Sequence, residues 1–220
     1  PLPPLQLSEQ DRILVCTPSH PAADVVTRRL AKRLSRRQLF RLYDSTRPVE
    51  FVSADLLPFT RQQEGESQFT LPETVEELLA FKVIVCTCSD AHILYLSGLT
   101  NASLRSRRQC VQALVTTSLQ ASPGMQLTGE LQAVQQPHFT HLFLDEAAPA
   151  TEPEPLIPFS VVVDDGPGVQ KVEIALIGDP RQLSPDNCCS HWVMDGLQKS
   201  LLERLLRLPQ VGGGRGHLLG

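Results

Sequence analysis

The stretch His141-Leu142-Phe143-Leu144-Asp145-Glu146, followed later by Ile174-Ala175-Leu176-Ile177-Gly178-Asp179-Pro180-Arg181-Gln182-Leu183, decides the fold. In each, a short apolar run ends abruptly in carboxylates and loop-forming residues. That is the form of a buried parallel strand delivering polar groups at its C-terminal edge. In open α/β sheets this edge is where ligands sit. The pattern predicts an α/β protein built on a parallel sheet.

The residues at these two strand ends suit a particular chemistry. An Asp at the end of a buried strand, here Asp145, can hold a hydrated Mg²⁺ that bridges nucleotide phosphates, and the adjacent Glu146 can polarise an attacking water. The second strand end adds Asp179 and Gln182. The Gln182 amide is uncharged and can hydrogen-bond a γ-phosphate oxygen or the water attacking it. The set is an arrangement for NTP hydrolysis. Acidic turns after apolar strands also arise by chance, and Asp145-Glu146 alone would not separate the two accounts; the Gly178-Asp179-Pro180-Arg181-Gln182-Leu183 run favours the chemical one.

The chain has 220 residues, enough for one packed domain or slightly more, and its 41% apolar and 20% charged residues are those of an ordinary globular protein. A net charge of −4 gives no sign of a nucleic-acid binder, but the charge is unevenly spread. Arg28, Arg29, Lys32, Arg33, Arg36, Arg37 and Arg41 share one segment with no acid between Asp24 and Asp44. A solvated face is the usual reading of such a run; its position just after a polar strand-end loop points instead toward a nucleic-acid path. The six cysteines (Cys16, Cys86, Cys88, Cys110, Cys188, Cys189) form neither a disulfide framework nor a zinc module, which points to a reducing compartment, cytoplasmic or nuclear. A zinc site on Cys86, Cys88, Cys188, Cys189 and His191 has poor ligand spacing. No apolar run approaches a membrane span, so no membrane partner is expected.

In chain order, residues 1–11 read as a connector. Arg12–Cys16 is a strand, and Thr17-Pro18-Ser19-His20-Pro21 is the turn at its end. A helix follows over about 22–37, with Val26, Leu30 and Leu34 on its buried face. Val49–Val52 suggests a short strand. A helix begins near Pro72, with Val75, Leu78 and Leu79 buried. Val83–Cys86 is the next strand, leading through Thr87-Cys88-Ser89-Asp90 to a short helix at Ile93, Leu94 and Leu96. Residues 101–137 read as a surface insertion, and Pro149–Pro158 as a proline-rich loop. A helix is expected over Gly196–Leu208, and 209–220 as a flexible tail. His92, His138 and His141 read as packing or surface residues, and Trp192 as a core or lid residue more than a base-stacking one.

Four strand ends in this order resemble the first RecA-like domain of superfamily 1 helicases of the nonsense-mediated-decay class. The run Ile13-Leu14-Val15-Cys16-Thr17-Pro18-Ser19-His20 resembles motif Ia, and Val83-Ile84-Val85-Cys86-Thr87-Cys88-Ser89 the following nucleic-acid motif. Leu144-Asp145-Glu146-Ala147-Ala148 is similar to motif II, and Gly178-Asp179-Pro180-Arg181-Gln182-Leu183 to motif III. His138-Phe139-Thr140-His141, Glu152-Pro153-Glu154-Pro155-Leu156-Ile157-Pro158 and Ser200-Leu201-Leu202-Glu203-Arg204-Leu205 narrow it to the Armitage and Moloney-leukaemia-virus-10 group of RNA helicases, which act in small-RNA silencing.

The resemblance covers most of residues 12–208 and implies a partial RecA-like P-loop NTPase domain with helices on both sheet faces. It implies ATP and Mg²⁺, with Asp145 as the metal residue, Glu146 activating water, Gln182 sensing the γ-phosphate and Asp179 coupling that site to RNA. It implies that Pro18, Ser19, His20 and Thr87 touch single-stranded RNA, and that the partners include Argonaute- or Piwi-type silencing proteins in cytoplasmic RNP granules.

The sequence departs from the family pattern in several places. The chain holds no Gly-x-x-x-x-Gly-Lys-Ser/Thr phosphate loop. Related helicases carry Asn at the place of His20 and Gln at that of Pro149. The resemblance therefore implies a piece of an ATP-dependent RNA helicase, with the phosphate loop and second RecA-like domain outside these residues. The alternative from another class is a catalytically inactive RNA-binding or scaffold isoform.

Overall fold

The structure, a computed structural model, describes residues 7–63, 67–120 (backbone only for 115–120), 136–179, 181 and 199–208. In chain order the elements are β1 (Ile13–Thr17), α1 (His20–Ala31), β2 (Leu39–Arg41), α2 (Val75–Ala80), β3 (Val83–Thr87), α3 (His92–Leu96), α4 (Asn101–Gln120), β4 (His141–Leu144), α5 (Pro153–Val162), β5 (Glu173–Leu176) and α6 (Leu201–Leu206). The five strands form one parallel sheet in the order β2-β3-β1-β4-β5.

Alternation along the strands builds a core on each face. Leu14, Cys16, Ile84, Cys86, Leu142 and Leu144 point to one side, where they meet Leu78 of α2, Leu94 of α3, Leu104 of α4, Val161 and Val162 of α5 and Leu202 of α6. Val15, Val83 and Val85 point to the other, under Ala23, Val26 and Leu30 of α1. Helices thus cover both faces. Connections leave the neighbouring strands β1 and β4 in opposite directions, toward β2 and toward β5. That divergence opens the C-terminal edge between them.

Local chemistry explains most boundaries. Ser19 caps α1, its Oγ accepting from the amide of Ala22 at 3.4 Å. α1 ends at Ala31, earlier than the expected 37, and Leu34 reaches the core from the turn that follows. α1 runs back from the site edge, so Arg33, Arg36 and Arg37 beyond its end lie toward the start of β2 and away from the Pro18–His20 turn. α2 starts at Val75 and not near Pro72, because Thr74 Oγ1 caps it by accepting from Glu77 N at 3.1 Å.

Several expectations are corrected. Val49–Phe51 is a 3₁₀ turn, not a strand. The strand at Leu39–Arg41 was not anticipated. The proline-rich stretch contains α5: Pro153 and Pro155 sit in the first turn, where no amide donor is needed, Pro158 lies inside the helix, and Glu154 accepts from Thr151 N at 2.8 Å just ahead of it. The stretch beginning at 101 opens in the core. Asn101 is buried, its Nδ2 donating to Phe139 O (2.9 Å) and Val162 O (2.7 Å) while its Oδ1 accepts from Phe139 N (2.8 Å). Residues 121–135, the Gly196–Gln198 start of the last expected helix, Trp192 and the 209–220 tail lie outside the described residues. Among the described residues no helix is long and apolar enough to cross a membrane.

Candidate nucleotide and nucleic-acid edge

The acidic turn is stapled to both neighbouring strands. Asp145 N donates to Cys16 O at 2.9 Å, Ala147 N to Ile177 O at 2.8 Å, and Ile177 N to Leu144 O at 2.7 Å. Asp145 is half-buried and Glu146 exposed. Asp145 Oδ1 accepts from the Glu146 amide at 3.1 Å. Glu146 has φ 54°, the one non-glycine residue in the left-handed region among the described residues. Such a conformation costs roughly 1–2 kcal/mol and persists only where the surrounding structure fixes the backbone.

Gly178 makes the close fit of the two strand ends possible. A Cβ there would stand 2.9 Å from Ala148 N, 3.1 Å from Ala147 N and 3.3 Å from Leu202 Cδ2. The motif III strand therefore meets the motif II turn with backbone against backbone. Asp179 is exposed, and its Oδ1 accepts from Arg181 N at 2.9 Å. Gln182 lies outside the described residues.

Across β1, the second part of the edge is the pair of turns after β1 and β3. Thr17 is buried and its hydroxyl donates to Ser19 O at 2.8 Å, while Cys88 N donates to Thr17 O at 2.8 Å. Pro18, Ser19 and His20 are half-exposed. Thr87 is buried and turns its hydroxyl inward, accepting from Asp90 N at 2.9 Å; Ser89 is the exposed residue of that turn. The turns bearing Asp145, Glu146, Pro18, Ser19, His20 and Thr87 all lie on one edge, in line with the β3-β1-β4-β5 order.

Beneath the Pro18–His20 turn lies a charged cluster that sequence reasoning missed. Arg41 is wholly buried. Its Nε donates to Asp24 Oδ1 at 3.0 Å and its Nη1 to Leu42 O at 2.6 Å, and Nη2 stands 3.4 Å from His20 Nδ1. Tyr43 OH donates to the same Asp24 oxygen at 2.6 Å, and the Arg41 guanidinium stacks 3.9 Å above the Tyr43 ring. Burial pushes the Tyr43 hydroxyl far above its ordinary value. Burial also holds His20 below the usual histidine range, against the opposing pull of Asp90. The only sequence signals were the acid-free run containing Arg41 and an Asp on the buried side of α1.

Cys16 and Cys86 face each other at 3.5 Å between paired strands, and burial first, then Cys86, raises the Cys16 thiol; these are free thiols packed as small hydrophobes. Among the described residues no group of three or more His, Cys, Asp or Glu side chains could hold a metal ion by itself. A hydrated Mg²⁺ shared with phosphate oxygens needs one or two carboxylates from the protein. A single half-buried Asp145 at a strand end fits that use.

The chain is 32% identical over 200 residues to human RNA helicase Mov10l1, covering 90% of this chain and 12% of that protein. It is 30% identical over 200 residues to the Drosophila melanogaster protein named "Probable RNA helicase armi", 89% of this chain and 14% of that one. The chain is homologous to a stretch of the superfamily 1 helicases of the nonsense-mediated-decay class. Regulator of nonsense transcripts 1 of Dictyostelium discoideum matches at 27% over 201 residues, 90% of this chain and 13% of its length. The chain thus spans about an eighth to a seventh of the length of these helicases. No protein-family model matches it. The parallel sheet is that of the α/β RecA-like core expected for the class.

Proposed function

We propose that these residues form one side of the ATP site and of the RNA track of an ATP-dependent RNA helicase that remodels or moves along RNA, in small-RNA silencing or RNA decay. The observation that carries the reading is the acidic turn Asp145-Glu146, held open at the sheet edge beside the motif III strand and the Pro18–His20 turn. Asp145 would hold Mg²⁺, which supplies neutralisation of phosphate charge. Glu146, exposed and set by its left-handed backbone, would accept a proton from the attacking water. Asp179 would report the state of this site to the RNA edge, and Gln182 would contact the γ-phosphate. Pro18, Ser19 and His20 would contact the backbone of single-stranded RNA, with Thr87 shaping the neighbouring turn and Ser89 exposed on it. Binding through such a track is independent of sequence and falls with salt. Argonaute- or Piwi-type partners, and a cytoplasmic site of action, belong to the same reading.

The test is binding of single-stranded RNA by the chain. Replacing Ser19 and His20 together by Ala is expected to weaken it by about tenfold, the loss of one or two phosphate contacts, with melting monitored because Ser19 also caps α1. Unchanged affinity in a folded double variant would remove these residues from the track.

A further inference from the structure

Asp90 lies beside His20 at the sheet edge. It is 5% exposed, it sits in the turn after β3, and its Oδ2 has no hydrogen-bond partner. That oxygen lies 3.7 Å from Nδ1 of His20, whose side chain is 30% exposed. A buried carboxylate oxygen without a donor is a rare and costly feature, and asks what donor it is meant to receive.

His20 has three forms: neutral with its proton on Nε2, neutral with its proton on Nδ1, and the imidazolium with both. The first accepts at Nδ1 from Arg41 Nη2, 3.4 Å away. Arg41 cannot give up its proton and is pinned by Asp24 and Leu42 O, so this arrangement leaves Asp90 Oδ2 without a donor. A proton on Nδ1, in the neutral ring or the imidazolium, gives Asp90 Oδ2 its donor; the neutral Nδ1–H form leaves Nε2 a bare acceptor that repels a phosphate, and only the imidazolium offers N–H to both. With Nδ1 turned toward two buried groups, Nε2 is the nitrogen left for solvent or ligand.

The charged and titratable groups around the ring are few. Asp90 faces it from the turn after β3, Arg41 from β2, Asp24 from its own helix, and Tyr43, Asp44 and Arg47 from the segment after β2. Asp24 is paired with Arg41, Asp44 accepts from Thr46 N and Oγ1 and faces His92 at 3.9 Å, and Arg47 lies over the Tyr43 ring at 5.4 Å. Asp90 is thus the one carboxylate near His20 with a buried oxygen still lacking a donor. In the free chain, burial leaves the ring neutral near pH 7. A phosphate brought to Nε2 adds a second anion on the ring's other side, and the imidazolium becomes the favoured form.

We propose that Asp90 is a positioning residue of the RNA edge: its buried, unpartnered carboxylate oxygen receives the Nδ1 proton of His20, so that His20 meets an RNA phosphate as an imidazolium and RNA binding takes up a proton. The inference rests on the reading of the Pro18–His20 turn as an RNA contact. It belongs to this chain's histidine, since the Asn that the family resemblance places there does not titrate.

The experiment is the affinity of the full 220-residue chain for a single-stranded oligouridylate, whose bases do not titrate in the range, at fixed ionic strength between about pH 5.5 and 8. The association constant should rise as pH falls, with a slope approaching but not exceeding about tenfold per pH unit for one proton taken up. His20→Asn and Asp90→Asn should each flatten that slope. In the free chain, Asp90→Asn should also lower the His20 titration midpoint followed by NMR of the imidazole. A wild-type slope equal to that of His20→Asn overturns the proposal, and so does an Asp90→Asn midpoint that does not move. If Asp90→Asn fails to fold, the comparison of wild type with His20→Asn still decides. Absence of RNA binding by every variant at every pH overturns the RNA reading itself, and this proposal with it.

Discussion

Replacing Arg41 by Met tests the buried cluster under the Pro18–His20 turn. Arg41 is wholly buried and its guanidinium holds Asp24 at 3.0 Å, with further bonds to Leu42 O at 2.6 Å and toward Val85 O at 3.4 Å. Met fills much of the volume, so little cavity is left. The stranded group is the Asp24 carboxylate, which keeps its bond from Tyr43 OH at 2.6 Å. Removing one member of a buried pair costs about 3–5 kcal/mol, a large share of the roughly 5–15 kcal/mol of a typical domain. The second substitution Asp24→Asn removes the stranded charge and keeps an acceptor for Tyr43. Arg41→Met/Asp24→Asn is therefore expected to be more stable than Arg41→Met by about 1–3 kcal/mol, although it carries one change more. Urea unfolding followed by circular dichroism, at equal m-values, reads the difference. A cost under about 1 kcal/mol for Arg41→Met, or a double variant as unstable as the sum of the singles, would refute the cluster as an ion-pair device.

Three further outcomes follow from particular contacts. Asn101→Leu strands Phe139 N, Phe139 O and Val162 O and should cost about 2–4 kcal/mol in the same unfolding assay; a neutral effect would mean that these groups find other partners. Gly178→Ala forces a Cβ to 2.9 Å from Ala148 N and should destabilise by about 1–3 kcal/mol, with loss of amide protection at Ala147 in hydrogen exchange as the local sign. His138 is held at about 4 by burial first and then by Arg108 and Arg12, below the unfolded value of about 6.5, so the unfolded chain binds the extra proton. Its contribution is present above about pH 6.5 and is lost as pH falls toward 4; His138→Phe should flatten that part of the stability profile, and an unchanged profile would contradict it.

The strands were legible because Ile13–Cys16, Val83–Cys86 and Leu142–Leu144 are apolar runs cut off by turn residues, and the sheet order then brings their ends to one edge. Leu39–Arg41 was missed because this edge strand is short and carries a wholly buried arginine, which breaks the apolar pattern; its partners Asp24 and Tyr43 meet only once α1 folds back over β2. α5 was hidden by three prolines, of which Pro153 and Pro155 cost nothing in the first helical turn while Pro158 lies inside the helix, and α4 by weak periodicity beyond a start anchored by Asn101 and by the Arg105–Asp164 pair at 2.7 Å. Asp145, Glu146 and the Pro18–His20 turn could be named from motif order. The left-handed backbone of Glu146, the inward hydroxyl of Thr87 and the unpartnered oxygen of Asp90 could not, since each depends on packing between turns distant in sequence.

The most direct test of the central claim is ATP turnover, with and without single-stranded RNA, by the natural protein that carries these residues and by its Glu146→Gln variant. The account predicts turnover stimulated by RNA and reduced by about 10²–10⁴-fold in the variant, with RNA binding retained, because the side chain lost is the one proposed to take the proton from water. Equal turnover in the two proteins, or RNA binding with no turnover in either, would contradict it.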